Sequence, residues 1–266
     1  WEMQQSKRKT TQKAERQKLE KPIENSDLTL DLFASIPEED VTSTKTAETL
    51  NVSIIDSEEL LVKLTKDLSS YPGIVGLAVM SDGTEGMRAP CAGLALSFDS
   101  QNLYLPIHHT EGKNLTISAL REHLGSWLAS ESQKVTYEAK FARHVLANLG
   151  LDLNACIHDV TLMSYVIEAH MKHEIGNLAM RWLKTDIVAE EDVKGKGAKA
   201  LTCMQVDREV ASHYATQRAQ IVRELYDVMK PRIQDDEGLH YTAKDVDIWL
   251  CLECIDNNME YIEVDE

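Results

Sequence analysis

The 266-residue sequence predicts an α/β layered domain built on a mixed sheet, and two observations carry that expectation. Short apolar segments crowd the stretch from about residue 51 to residue 107, where turn residues separate them. Beyond residue 110 the apolar spacing changes to the helical period, interrupted by one further strand-like segment at Lys134–Tyr137. Strands first, then helices with an interleaved strand, is the order that yields a sheet with both parallel and antiparallel pairs.

Val52-Ser53-Ile54-Ile55 reads as the first strand. Asp56 or Ser57 then caps a helix whose first turn holds Glu58 and Glu59 and whose stripe is Leu60, Leu61, Leu64 and Leu68. Ile74–Met80, closed by the turn Ser81-Asp82-Gly83, is a second strand, followed by Cys91–Phe98 and Leu103–Ile107. Asp99-Ser100-Gln101-Asn102 between the last two signals a hairpin. Ile117, Leu120, Leu124, Trp127 and Leu128 mark one helix, and Phe141, Val145, Leu146 and Leu149 mark another that stops at Gly150. Further helices are expected at 159–170, 175–184 and 205–230, the last ending before Pro231.

Residues 1–48 are polar, poor in aromatics and without sustained periodicity, which predicts a flexible tether. The charge divides unevenly between tether and body. Residues 1–21 carry seven bases and three acids, which leaves 21 bases against 41 acids in the remainder, net −20. A body of that sign repels a polyanion, so any surface that grips nucleic acid is expected elsewhere. No run approaches the roughly 18 apolar residues of a membrane span, and the start lacks an apolar signal core, so a cytoplasmic protein without a membrane partner is expected. Five cysteines form no framework, and Cys251-x-x-Cys254 lacks a second pair to complete a zinc site.

Five short segments then occur in one order across roughly 80 residues. They are Lys140-Phe141-Ala142-Arg143-His144-Val145-Leu146, His158-Asp159-Val160-Thr161-Leu162-Met163-Ser164-Tyr165, His173-Glu174-Ile175-Gly176-Asn177-Leu178-Ala179-Met180-Arg181-Trp182-Leu183, Gly195-Lys196-Gly197-Ala198-Lys199-Ala200-Leu201-Thr202 and His213-Tyr214-Ala215. Their order and spacing resemble those of the 3′–5′ exonuclease, or proofreading, domain of DNA polymerase I, a bacterial family A polymerase. The resemblance covers residues 49–232 and implies an RNase H-like mixed sheet flanked by helices. Ile248–Asn258 with Ile262-Glu263 is similar to the segment that opens the polymerase domain, so residues 233–266 are expected to begin that domain.

The family hydrolyses phosphodiesters with two divalent ions about 4 Å apart, which repel by roughly 17 kcal/mol at an effective dielectric near 20 and so need several carboxylates. The resemblance places those four carboxylates at Ala78, Met80, Ala142 and Arg218. None of these supplies oxygen; a thioether is too soft for magnesium, and a guanidinium is permanently cationic. The segment is therefore expected to hold no catalytic residue and no metal or cofactor of its own, although a parent polymerase would use magnesium. Arg218 is expected to reach solvent or to pair with Asp159 or Glu138. Tyr214 matches the tyrosine that orients water in the family, but here it is expected to serve as amphipathic packing. Cys203 replaces the family's stacking aromatic.

Lys140, Arg143, Lys194, Lys196 and Lys199 are the candidate nucleic-acid contacts. Gly195-Lys196-Gly197 lacks the spacing of a phosphate loop, and His170-x-x-His173 lacks a third ligand.

Three functions compete. The first is an inactive nuclease fold supporting a monomeric polymerase in DNA replication and repair, touching DNA only through the parent enzyme. The second is an active exonuclease whose ligands have moved to Asp82, Glu85 and Asp159. The third is a docking module for single strands or protein.

Overall fold

The computed structural model describes residues 50–83, 86–153 and 157–235. The expected tether and the segment expected to open the polymerase domain lie outside the described residues, apart from residues 233–235. So do Glu85 and Cys156, and with them Cys251 and Cys254.

Six strands form one sheet in the order β1-β4-β3-β2-β5-β6. The strands are β1 (Val52–Ile54), β2 (Val75–Ser81), β3 (Cys91–Phe98), β4 (Gln101–Pro106), β5 (Lys134–Thr136) and β6 (Ile157–Asp159). β2, β3 and β4 are a consecutive antiparallel meander, while β1 runs parallel to β4 and β5 and β6 run parallel to β2. The mixed sheet expected from the sequence is present. Asp99 takes the left-handed conformation, φ 51°, in the hairpin between β3 and β4, where Phe98 faces Gln101.

Strand alternation sorts the core into two faces. On one face Leu77, Leu94, Leu96, Leu103 and Leu105 meet Leu61, Leu64 and Leu68 of α1 (Glu58–Ser70). The same cluster takes Leu120, Leu124 and Leu128, and Val145 and Leu146 of α4 (Ala139–Ala147). Ser57, rather than Asp56, caps α1 through a hydrogen bond from Leu60 N. The helix expected around 117–128 is broken into α2 (Ile117–Ala119), a wide π turn at Leu120–Leu124 and α3 (Gly125–Leu128).

The other face carries α8 (Arg208–Asp235), 28 residues long and so about 42 Å. Ala211, Ala215 and Ala219 let it lie close on the sheet, and a Cβ added at Gly76 of β2 would stand 2.1 Å from the carbonyl oxygen of Ala219. α8 does not stop before Pro231 as the sequence predicts. Proline removes one backbone donor, but burial of Met229 and Ile233 on either side holds the final turn in place. α5 (Val160–Glu168) and α6 (Ile175–Leu178), the latter extended by a π turn at Ala179–Leu183, pack beside α8. The short helix α7 (Glu190–Lys194) and the strand β6 were not legible in the sequence, since three to five residues carry too little periodicity.

Candidate functional site

Because β2 alternates, Ala78 and Met80 face the α8 side while Leu77 and Val79 face the other core. Met80 is only 2 % exposed; it packs with Ala92, Ala95, Tyr104, Cys203, Tyr214, Ala215 and Ala219. Its sulfur accepts a hydrogen bond from the Tyr104 hydroxyl at 3.6 Å. That hydroxyl also shares a 2.6 Å hydrogen bond with His109 Nε2, and His109 Nδ1 lies 3.2 Å from the carbonyl oxygen of Val206. Gly93, which faces Met80 across the ladder, leaves room for this tyrosine, since a Cβ there would stand 2.1 Å from the Tyr104 oxygen.

Tyr214 is 9 % exposed, and burial pushes its hydroxyl up to about 12, with Arg218 pulling in the opposite direction. The Arg218 guanidinium lies 3.6 Å above the Tyr214 ring, and both of its terminal nitrogens donate to the Val188 carbonyl at 3.2 Å. Burial lowers its pKa from the usual value. Of the two outcomes expected for Arg218, the pairing with Asp159 or Glu138 does not form, and the side chain is half-exposed. A backbone carbonyl and an aromatic face satisfy the cation instead, because Val188 is brought in by Gln217, whose Oε1 accepts from Val188 N at 2.9 Å.

Ala142 sits apart from this group. It is fully buried in the core cluster with Leu77, Val145 and Leu146, not in the cluster of Met80 and Tyr214. The four positions singled out by sequence are thus divided: Ala78, Met80 and Arg218 lie on the α8 face, and Ala142 does not.

Of the relocated ligands considered above, the two that are described, Asp82 and Asp159, are engaged in separate structure. Asp82 Oδ1 accepts from Lys194 Nζ at 2.7 Å, and both its oxygens accept from Cys203 N, at 2.9 and 3.0 Å. Burial raises the Asp82 carboxyl, but these donors outweigh it and hold the group below its ordinary range. Asp159 caps two helices at once. It accepts from Thr161 N at 2.8 Å at the start of α5, and from Ala139 N at 2.7 Å and Glu138 N at 3.2 Å at the start of α4. The helix-cap expectation for Asp159 therefore holds. Burial raises both Asp159 and Glu138, and the proximity of Asp159 raises Glu138 further. Among the described residues no group of three or more His, Cys, Asp and Glu side chains is placed to hold a metal ion. A methyl group, a thioether and a guanidinium on the α8 face do not fit a pair of hard divalent ions.

The candidate nucleic-acid contacts fare differently from one another. Lys140 is exposed and Arg143 half-buried on α4. Lys196 pairs with Glu191 at 2.6 Å, and Lys199 is exposed. Lys194 is not a free surface lysine. Its side chain is 11 % exposed and is shared between Asp82 and Glu190, which together raise its pKa against the opposing effect of burial. His173 Nδ1 shares a 2.6 Å hydrogen bond with the buried Ser164 hydroxyl, a lock between the end of one helix and the start of the next. The role of Asp82 was missed by the sequence reading, since its partners Lys194 and Cys203 lie more than a hundred residues away and a register shift at Met80/Ser81 breaks the strand parity before it.

No helix among the described residues is long and apolar enough to cross a membrane. Comparison with solved structures finds the same fold in NrnC of Brucella melitensis, at TM-score 0.58 and 13 % identity over 81 % of this chain and 94 % of that one. The catalytic core of RRP6 from Trypanosoma brucei matches at TM-score 0.58 and 14 % identity, over 78 % and 53 %. The POL domain of Pol1 from M. smegmatis, in complex with DNA primer-template and dNTP, matches at TM-score 0.54 and 22 % identity, over 71 % and 28 %. In sequence, the chain is 30 % identical over 172 residues to the DNA polymerase I of Pseudomonas aeruginosa, covering 62 % of this chain, and 26 % identical over 185 residues to that of Synechocystis sp., covering 65 %. The chain spans about a fifth, 19 %, of the length of each of these relatives. The family model described as DNA polymerase I, ribonuclease H-like domain, matches residues 77–225, more than half of the chain. The alternating faces of β2, the close seat of α8 and this match agree, and the chain belongs to the ribonuclease H-like, 3′–5′ exonuclease-type domain family of DNA polymerase I.

Proposed function

We propose that this chain is a catalytically inactive exonuclease-type domain that serves as a structural support for a DNA polymerase I. The observation that carries the reading is the α8 face of β2, where Ala78 and Met80 share a cluster with Tyr214, on whose ring Arg218 stacks, and where the nearby carboxylate, Asp82, is engaged by Lys194 and Cys203. Metal-assisted hydrolysis needs oxygen ligands to neutralise two ions, and this face offers a cation instead.

On this reading residues 49–232 are the exonuclease-type domain, 233–266 open the polymerase domain and 1–48 are a flexible linker. The partner is the polymerase domain of the same chain, and DNA is reached through it, in replication and repair. Magnesium belongs to that polymerase, and the protein works as a cytoplasmic monomer. Lys140, Arg143, Lys196 and Lys199 remain the side chains on which a weak DNA contact would fall, while Lys194 is withdrawn from that set.

Incubation of the full chain with end-labelled single-stranded DNA and manganese tests the reading. The expected outcome is intact DNA at every time point. Progressive loss of 3′ nucleotides that chelator abolishes would overturn it.

A further inference from the structure

The chain between Val188 and Cys203 crosses the face just described, and it is fastened at both ends. At its start the backbone of Val188 is gripped by consecutive residues of α8, its N–H by Gln217 and its carbonyl by Arg218. In the middle Val193 packs against the cluster of Met80, Tyr214 and Ala215. Lys194 then reaches Asp82 at the end of β2, and the Cys203 amide reaches the same carboxylate. Cys203 Sγ donates to the Ser81 carbonyl at 3.1 Å, and Leu201 N donates back to the Lys194 carbonyl at 2.8 Å.

Between these fastenings the backbone turns on two glycines. Gly195 and Gly197 have φ of 80° and 70°, the left-handed region that glycine adopts without strain, and nothing lies within 4 Å of a Cβ built at either. Lys196, Lys199 and Leu201 are exposed. A segment with two glycine pivots, held by α8 at Val188 and at its other end by a carboxylate that takes both Lys194 and the Cys203 amide, is a strap with a clasp at that second end. Against it lie a buried aromatic ring, Tyr214, and the half-exposed guanidinium of Arg218 stacked on that ring, groups of the kind that single strands bind.

We propose that residues 188–203 are an autoinhibitory strap that closes this face to single-stranded nucleic acid, and that Asp82, bridging Lys194 and Cys203, is the clasp that keeps it shut. This rests on the reading of the β2–α8 face as the inherited nuclease cleft. Opening the strap does not restore hydrolysis; it uncovers Tyr214 and Arg218 as a stacking platform with a phosphate-attracting cation.

The test uses the full 266-residue chain as wild type, Asp82→Asn and, as a control of equal charge change outside the strap, Glu209→Gln. Asparagine keeps an acceptor for the Cys203 amide but removes the charge that holds Lys194. Hydrogen exchange of the Leu201 and Cys203 amides is expected to accelerate about tenfold in Asp82→Asn, with the β2–β3 ladder amides unchanged. A fluorescent oligo(dT) at low salt is expected to bind Asp82→Asn about fivefold or more tightly than Glu209→Gln. Strap amides that exchange at the wild-type rate would overturn the proposal, and so would equal binding by the two variants. If the ladder amides of Asp82→Asn also accelerate, Lys194→Met replaces it, and unchanged Leu201 exchange in that variant overturns the clasp. Chelator-sensitive nuclease activity would overturn the functional reading alone, so the two failures are distinguishable.

Discussion

Arg218 shows how one side chain can be accommodated where its chemistry looks unwelcome. A guanidinium buried without partners would cost several kcal/mol, but here the Val188 carbonyl and the Tyr214 ring share the load. Arg218→Asp reverses both contacts: it leaves that carbonyl without its donors and sets a carboxylate against the negative face of a ring. The expected loss is about 1–3 kcal/mol, read as a melting temperature lower by roughly 3–10 °C. Calorimetry on the same variant is expected to show no heat of manganese binding, because one carboxylate does not neutralise two ions. Tight binding by this single variant would mean that its carboxylate has found partner ligands on this face. Met80→Glu is a harsher change. Its carboxylate would be enclosed with the Tyr104 hydroxyl as its main donor, at a cost of several kcal/mol, visible as a lowered denaturant midpoint. Restoring all four acids at once adds Ala142→Asp in a closed apolar core, so that variant is expected to unfold more readily before it gains metal affinity.

At the scale of elements, the structure depends on how closely α8 approaches the sheet. Gly76 is the point of nearest contact, and its neighbour there is backbone, which cannot rotate out of the way. Gly76→Ala is expected to cost at least about 2–3 kcal/mol, a melting temperature lower by roughly 4–12 °C, with circular dichroism as the readout. An unchanged melting temperature would show that α8 slides along the sheet at little cost. Asp159 is the second such point, since one carboxylate holds the starts of α4 and α5. Asp159→Ala strands at least two amides, and a loss of about 2–4 kcal/mol is expected, against about 1 for an ordinary helix cap. The strap is the third. Its second end, at Lys194 and Cys203, depends on Asp82, whose pKa is below its ordinary 3.8, so the clasp holds at neutral pH and is expected to fail only as pH falls through that lowered value.

For the molecule as a whole, three histidines set the response to mild acid. Burial lowers the pKa of His109, His144 and His158 from the ordinary 6.5. The unfolded chain therefore binds protons at a pH where the folded chain does not. Stability is expected to be full above about pH 6.5 and to decline as pH falls from there through the lowered folded values. Asp159 and Glu138 act in the opposite sense. Their raised values favour the folded state as pH drops toward their own range, so they offset part of the loss at lower pH. His158→Phe keeps the ring packed against Tyr226, whose centroid is 4.8 Å away, and is expected to remove roughly a third of the decline between pH 7 and pH 5.5. Melting curves across that range check it; an identical slope in the variant would show that His158 titrates normally in the folded protein.

The sequence by itself determined the class of fold, the order of its main elements and the family. The apolar runs of β2 and β3, the turn residues Asp99-Ser100-Gln101-Asn102, the cap before Glu58 and the spacing of five motifs are all local signals, written within a few residues of where they act. It also determined which residue types stand at the positions the resemblance singled out. Only the tertiary structure decided where those side chains are directed and what they touch. Helical periodicity gives Ala142 an apolar neighbourhood but not which of two cores it joins. Lys194 and Asp82 are 112 residues apart, and Cys203 lies 121 beyond Asp82, so no local pattern links them. The end of α8 was decided by burial of Ile233 rather than by the proline before it. In each case a local propensity worth about 1 kcal/mol or a few gives way to burial and long-range hydrogen bonds, which act together only once the chain has folded.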